Sequence, residues 1–381
     1  MRVGMICPYS LTIPGGVQNQ ILGLARALRA QGVDTRVLGP CDGPPPDAGV
    51  TPLGNSLPTA ANGSVAPIAP DPAAQLRIIR ALRDEEFDVL HIHEPMAPGP
   101  TMTATMLKQA PIVATFHRAG SSRSYRYLGR GVRYLQRRLE VCVAVSEEAA
   151  QVARAQLGGE YEILFNGVDT ERFSRGDNEP ADNPTIFFVG RHEPRKGLRV
   201  LLDAMSYLSA DVTLWIASDG PETDELKSQV AGDPRIVWLG RIDDQEKISY
   251  MRKATAFCAP SLSGESFGIV LLEAMAARTP VVASDIAGYA GLARGGQDAV
   301  LVPAGDCAAL GAALESTLAG GAEVERRVDS GCERAEEFSM DRLAARYLNL
   351  YEKAIGSAPA ATFASRNRGF FRRASDNAGL D

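Results

Sequence analysis

The chain has 381 residues, 45% hydrophobic and 23% charged, proportions of a soluble globular protein of two or three domains, not of a disordered or fibrous one. Its formal net charge of −6 excludes a global attraction to nucleic acid and leaves affinity for an anionic surface to local patches. Cys7, Cys41, Cys142, Cys258, Cys307 and Cys332 show no pairing rhythm, the four histidines no metal-ligand spacing, and no apolar run reaches the length of a membrane span; these features argue against a disulfide framework, a zinc module and a transmembrane protein, and fit reduced thiols in a cytoplasmic one.

Residues 2–7 read as a first buried strand, too short before Pro8 for a signal peptide. Pro8–Gln18 follows as a glycine-rich loop, and a helix then carries Ile21, Leu22, Leu24, Ala25 and Leu28 on one face. Strand, glycine loop and helix open a Rossmann-like unit. Gly15 and Gly16 allow either close approach of a diphosphate to the helix start or an ordinary tight loop. A second strand is expected at Thr35–Gly39, loop-like sequence at 40–72, a helix at about Ala73–Arg83 and a strand within Phe87–Pro95. His91 and His93 on that strand are expected on opposite faces, each fixing a loop. The strand Pro111–Phe116 ends at His117, which is either a hydrogen-bonded core histidine or a ligand-facing group at the carboxyl edge of the sheet.

Residues 123–139 carry two stripes. Tyr125, Leu128, Val132, Leu135 and Leu139 alternate at intervals of 3 and 4, and so do Arg123, Arg126, Arg130, Arg133 and Arg137. This is the pattern of a basic amphipathic helix, suited to an anionic membrane or to a solvated face. Each cation near an acidic leaflet contributes about 1 kcal/mol. Glu140 is the one acidic residue nearby, which favours the membrane, and Gly129 and Gly131 suit an element that orders on lipid. A strand at Val141–Val145 leads to the helix cap Ser146, and the first domain closes at 172.

Residues 173–184 read as a polar linker, and 185–340 as a second strand–helix domain. Its first strand, Thr185–Gly190, runs into Arg191 and Lys196 at a helix start, two fixed cations that suit a leaving diphosphate or else a basic surface loop. Strands follow at Thr213–Ala217, Ile236–Leu239, Ala256–Ala259 and Pro280–Ser284, with a helix near Asp244–Lys253 capped by Asp243. Between the last two strands lies Gly264-Glu265-Ser266-Phe267-Gly268-Ile269-Val270-Leu271-Leu272-Glu273. Here Glu265 is expected on a loop and Glu273, eight residues on, just over two turns into a helix. That helix start would offer free N–H groups to a phosphate. A last helix is expected over 341–356, crossing back to the first domain, and a disordered tail over 357–381.

Glu265 and Glu273 match the E-x7-E signature of family 4 retaining glycosyltransferases, and G-R-x-x-x-x-K-G matches that family's donor-phosphate motif. The resemblance spans nearly all of residues 1–356, and its N-terminal half is most similar to the actinobacterial phosphatidylinositol mannosyltransferases. It implies the α/β GT-B fold: two Rossmann-like domains with a deep inter-domain cleft, the first binding acceptor and membrane and the second the nucleotide-sugar. It implies retaining transfer of mannose from GDP-mannose to the inositol of phosphatidylinositol at the cytoplasmic membrane face, with catalysis mostly by positioning and electrostatics. Donor contacts would come from Gly15, Gly16, Arg191, Lys196, Glu265, Ser266, Phe267, Gly268, Ile269 and Glu273. His117, in the context A-T-F-H, would hydrogen-bond the sugar. Tyr9, Gln18 and Asn62 would meet the acceptor. Ser122 stands where these enzymes carry a lysine for the lipid phosphate, so Arg118 or Arg123 would substitute. No metal site or cofactor is expected beyond the donor substrate, although stimulation by a divalent metal stays open. Other acceptors, such as soluble inositol phosphate, another lipid or a growing glycan, and other nucleotide-sugars fit the same motifs. A sugar-nucleotide epimerase or a non-catalytic membrane module fits them less well, because Arg191, Lys196, Glu265 and Glu273 are all retained.

Overall fold

Apolar runs buried on both faces alternate with one-sided helices, and this alternation folds into parallel sheets wrapped by helices. The computed structural model describes residues 1–13, 15–61, 64–117, 134–175, 179–265 and 267–357. Two units form, one from residues 1–165 with the chain from Asp341 onward, the other Asn166–Met340.

The first unit holds β1 (Arg2–Ile6), α1 (Gly16–Ala30), β2 (Asp34–Gly39), β3 (Val50–Pro52), β4 (Leu57–Ala61), β5 (Ser64–Ile68), α2 (Pro72–Glu85), β6 (Val89–His93), α3 (Pro100–Leu107), β7 (Ile112–Phe116), β8 (Val141–Ala144), α4 (Glu147–Leu157) and β9 (Glu162–Ile163). Its sheet runs in the order β3-β2-β1-β6-β7-β8-β9. Every pairing in it is parallel. The strand order reverses between β1 and β6, which opens a crevice at their carboxyl ends. One core cluster includes Ile6, Leu38, Ile78, Leu90, Ile92, Ile112 and Phe116. Ser146 caps α4 by accepting the N–H of Ala149 at 3.1 Å.

Residues 40–72 are more ordered than their composition suggests. β3 pairs at the sheet edge, and β4 with β5 forms a separate antiparallel ribbon. Pro58 faces Pro67 across that ribbon, and a two-stranded edge ribbon tolerates prolines that a central strand would not. The N–H of Ser10 donates to the Pro67 carbonyl at 2.9 Å, tying the ribbon to the loop after β1. His91 and His93 share one face of β6 instead of opposing each other, with ring centroids 4.2 Å apart; residues two apart on a pleated strand point the same way.

The second unit begins with α5 (Thr170–Ser174) and continues through β10 (Thr185–Val189), α6 (Leu198–Ala204), β11 (Thr213–Ala217), α7 (Thr223–Gln229), β12 (Ile236–Gly240), α8 (Asp244–Lys253), β13 (Ala256–Ala259), α9 (Ile269–Ala276), β14 (Val281–Ser284), α10 (Ala287–Leu292), β15 (Val300–Val302), α11 (Cys307–Leu318) and α12 (Ala322–Glu337). The sheet order β12-β11-β10-β13-β14-β15 is again wholly parallel and reverses between β10 and β13. Asp243 and Glu246 form a reciprocal capping box on α8. The last helix, α13 (Met340–Ser357), packs Tyr347 and Tyr351 into the first unit, where both are buried.

Of the arginine stripe, Arg123, Arg126, Arg130 and Arg133 lie outside the described residues, as do Arg118, Asn62 and Ser266. Residues 134–136 are helical and Arg137 is exposed. Arg138, which the stripe does not include, donates to the carbonyls of Thr105 and Met106 at the end of α3. Among the described residues no helix is long and apolar enough to cross a membrane.

Candidate active site

In the second unit two loops leave neighbouring strands at the point of reversed order and clasp each other. After β10, Arg191 is exposed, and among the described residues it has no ion-pair partner. The chain then makes a short turn, Pro194–Lys196, closed by Gly197 at φ 69°. Glycine is required there, because a Cβ would come within 1.9 Å of the Pro260 carbonyl oxygen. The second loop follows β13, and its Leu262 N–H donates to the Arg195 carbonyl at 2.7 Å.

This clasp brings Lys196 Nζ to 2.5 Å from Glu265 Oε1, with both side chains largely shielded from water. Arg195 adds a contact to Glu265 at 3.1 Å and another to Glu193 at 2.6 Å. The cluster Arg191, Arg195 and Lys196 against Glu193 and Glu265 is thus one positive group over. That suits an anionic ligand which can displace the Lys196–Glu265 contact.

The helix after Glu265 starts later than the spacing predicts. Gly268, at φ 87°, is its N-cap, and a Cβ there would strike the Tyr289 ring at 2.7 Å. Glu273 is therefore only the fifth helical residue, just over one turn in. Phe267 is buried and packs edge-on against Phe338 at 5.3 Å, so its side chain holds the loop. Ile269 and Val270 open the helix, where the first N–H groups have no intrahelical acceptor. Glu273 is paired with Lys247 of α8 at 2.7 Å. Lys247 also lies 5.7 Å from the Phe173 ring centroid.

The first unit carries its groups at the carboxyl ends of its strands. Gly16 opens α1 at an exposed position, and a Cβ added there meets nothing within 4 Å among the described residues. A Cβ on Gly15 would meet Gln18 Oε1 at 2.4 Å. Gln18 is buried, and its amide donates to the carbonyls of Ser10 and Ile13; it shapes the loop between β1 and α1. Tyr9 is half-buried, and its backbone bridges to Ile68.

Two strands further along the sheet, His117 stands at the end of β7. Its backbone N–H donates to Glu94 Oε1 at 2.7 Å, and its Nε2 lies 2.8 Å from His93 Nδ1. Glu94 is buried and held at φ 49°, a conformation costly for a residue with a Cβ. Behind His93, His91 Nδ1 meets the Tyr351 hydroxyl and its Nε2 meets Thr115 Oγ1, each at 2.8 Å. Burial pushes the imidazoles down, His91 to about 3, His117 to about 4 and His93 well below the usual value. All three are neutral near pH 7. Among the described residues no three His, Cys, Asp or Glu side chains gather as a metal site.

Residues 14–172 match the family model described as Glycosyltransferase Family 4, and residues 183–320 match Glycosyl transferases group 1. A phosphatidyl-myo-inositol mannosyltransferase of Mycobacterium leprae is 41% identical over 378 residues, covering 96% of this chain and 100% of that protein. The chain belongs to glycosyltransferase family 4. It is a glycosyltransferase enzyme. The phosphatidyl-myo-inositol mannosyltransferase of Mycolicibacterium smegmatis is 39% identical, over 94% of this chain and 95% of that protein. Sucrose-phosphate synthase from Thermosynechococcus elongatus superposes with a TM-score of 0.71 at 20% identity, covering 94% of this chain and 100% of that one. Anabaena HepE with UDP and glucose gives 0.71 at 18% identity, over 92% and 99%. These likenesses show the GT-B fold.

Three residues in this family 4 chain escaped the sequence reading. Arg195 sits in the right motif but takes its place only through contact with a loop seventy residues away. Lys247 reads as one charge on a polar helix. His93 lies beside His91 because residues two apart on a pleated strand share a face.

Proposed function

We propose that this enzyme transfers mannose from GDP-mannose to the inositol ring of phosphatidylinositol with retention of configuration, as a peripheral protein on the cytoplasmic face of the membrane. The observation that carries the reading is the clasp of Lys196 and Arg195 on Glu265 at the switch point of the second sheet, in a chain 41% identical to a protein named phosphatidyl-myo-inositol mannosyltransferase. Arg191 and Lys196 take the diphosphate, whose charge grows as the sugar leaves. Glu265, released from Lys196, and the N–H groups after it hold the transferred sugar, and Glu273 holds the ribose. Gly16 admits the diphosphate, and His117 donates to the sugar.

Membrane contact is supported by the arginine stripe and by α2. There Leu76 and Ile79 are exposed at 68% and 38% beside Arg80 and Arg83, which share the Asp84 carboxylate and leave one net positive charge between them. Exposed apolar side chains next to cations suit the interface of an anionic bilayer.

The test is turnover of labelled GDP-mannose with phosphatidylinositol vesicles, beside UDP-sugar and soluble inositol 1-phosphate controls. A mannolipid that disappears in Lys196→Ala supports the reading. Because Ser122 replaces a lysine, a second reading is the same chemistry on a soluble acceptor; turnover with inositol 1-phosphate alone would select it.

A further inference from the structure

The buried column Tyr351–His91–His93–His117 has an asymmetry that bears on how His117 meets its ligand. His91 uses both ring nitrogens, on Tyr351 and Thr115. Thr115 is in turn bonded to the Tyr347 hydroxyl at 2.9 Å. His93 uses only Nδ1, on His117; its Nε2 is fully buried and has no hydrogen-bond partner among the described residues. Between two neutral imidazoles 2.8 Å apart, one nitrogen carries the proton and the other accepts it.

The two assignments leave different defects. If His117 Nε2 carried the proton, His93 would hold its own on Nε2 as a buried N–H with no acceptor. If His93 Nδ1 carries it, the leftover is a bare nitrogen lone pair. An orphaned buried donor is the rarer defect in folded proteins.

We infer that His93 is a positioning residue for His117: it donates Nδ1–H to His117 Nε2 and thereby fixes the His117 proton on Nδ1. His117 then meets its ligand only as a hydrogen-bond donor through Nδ1 and has no free ring nitrogen with which to take a proton. The main-chain bond from His117 to Glu94 sets the depth of the ring, and the near-parallel His93 ring, at a 26° interplanar angle, sets its rotation. The inference rests on the proposed function only for what His117 touches; the tautomer itself is independent of it.

Nitrogen-15 NMR of histidine-labelled full-length protein near pH 7 tests the tautomer directly, since only His91, His93, His117 and His192 need assigning. His117 should show protonated Nδ1 and unprotonated Nε2. In His93→Leu that signature should be lost to tautomer averaging. In His93→Asn, whose amide nitrogen takes the place of Nδ1, it should survive. In the transfer assay His93→Leu should lose about tenfold in kcat/KM for the donor, chiefly in kcat, and His93→Asn should regain most of it. Protonated Nε2 on His117 in the native protein would overturn the inference. So would equal activity of the Leu and Asn variants, which is what a packing role predicts. Failure of GDP-mannose as donor would sink the proposed function while the spectra still judged the tautomer.

Discussion

Gly16→Ala separates what the fold needs from what the ligand needs. Gly16 is the first residue of α1, and a Cβ on it meets no atom of the described residues within 4 Å. Nothing among the described residues therefore requires glycine there. Alanine restricts the unfolded chain and fits a helical backbone, so stability should hold or rise by about 0.4–1 kcal/mol. The proposed donor site needs that open space, because a diphosphate must reach the helix-start N–H groups. Losing one hydrogen bond to a charged oxygen costs about 1.5–3 kcal/mol, or roughly 10- to 150-fold in affinity. Gly15→Ala is the control: its Cβ would displace the buried Gln18 amide and should destabilise by about 1–2 kcal/mol. The assay pairs urea unfolding with calorimetric titration of GDP. A Gly16→Ala protein as stable as the parent that still bound GDP equally well would refute the reasoning and remove α1 from the donor site.

Three other outcomes follow from the geometry. Lys247→Met should destabilise the second unit by about 2–4 kcal/mol by stranding the shielded Glu273 carboxylate, and Glu273→Gln added to it should restore most of that loss; a double-mutant cycle in urea with no coupling would contradict the pairing. His91 and His93 take protons far less readily folded than unfolded. Their contribution is therefore intact above about pH 7 and lost as pH falls below 6.5 toward the folded values; by about pH 5.5 the two should cost about 2–3 kcal/mol together, and a flat stability profile across this range would contradict their burial as neutral groups. Binding to acidic vesicles should weaken with salt, and Arg126→Ser with Arg130→Ser should lower it by about 30-fold at about 1 kcal/mol per cation; unchanged sedimentation with vesicles would make the stripe a solvated face.

Much of the architecture was legible because central parallel strands read as unbroken apolar runs. Thr213–Ala217, Asp244–Lys253 and Ala256–Ala259 fall where the pattern puts them. The ribbon β4–β5 was hidden because its stability comes from edge pairing, which proline-rich composition masks. Of the candidate site, motif spacing indicated which cations and carboxylates mattered, but not their partners. Glu265 is held by Lys196 and Arg195, and Glu273 by Lys247, through contacts between segments 26 to 70 residues apart. Such pairing depends on strand order, which local sequence does not carry. The helix start at Gly268 was misplaced because its cap is a left-handed glycine fitted against Tyr289, with no polar capping side chain to announce it.

The most direct test of the central claim is product analysis after incubating the full chain with labelled GDP-mannose and phosphatidylinositol vesicles. The account predicts a single mannolipid with retained anomeric configuration, absent in Lys196→Ala and Glu265→Ala. Undiminished transfer in either variant would contradict it.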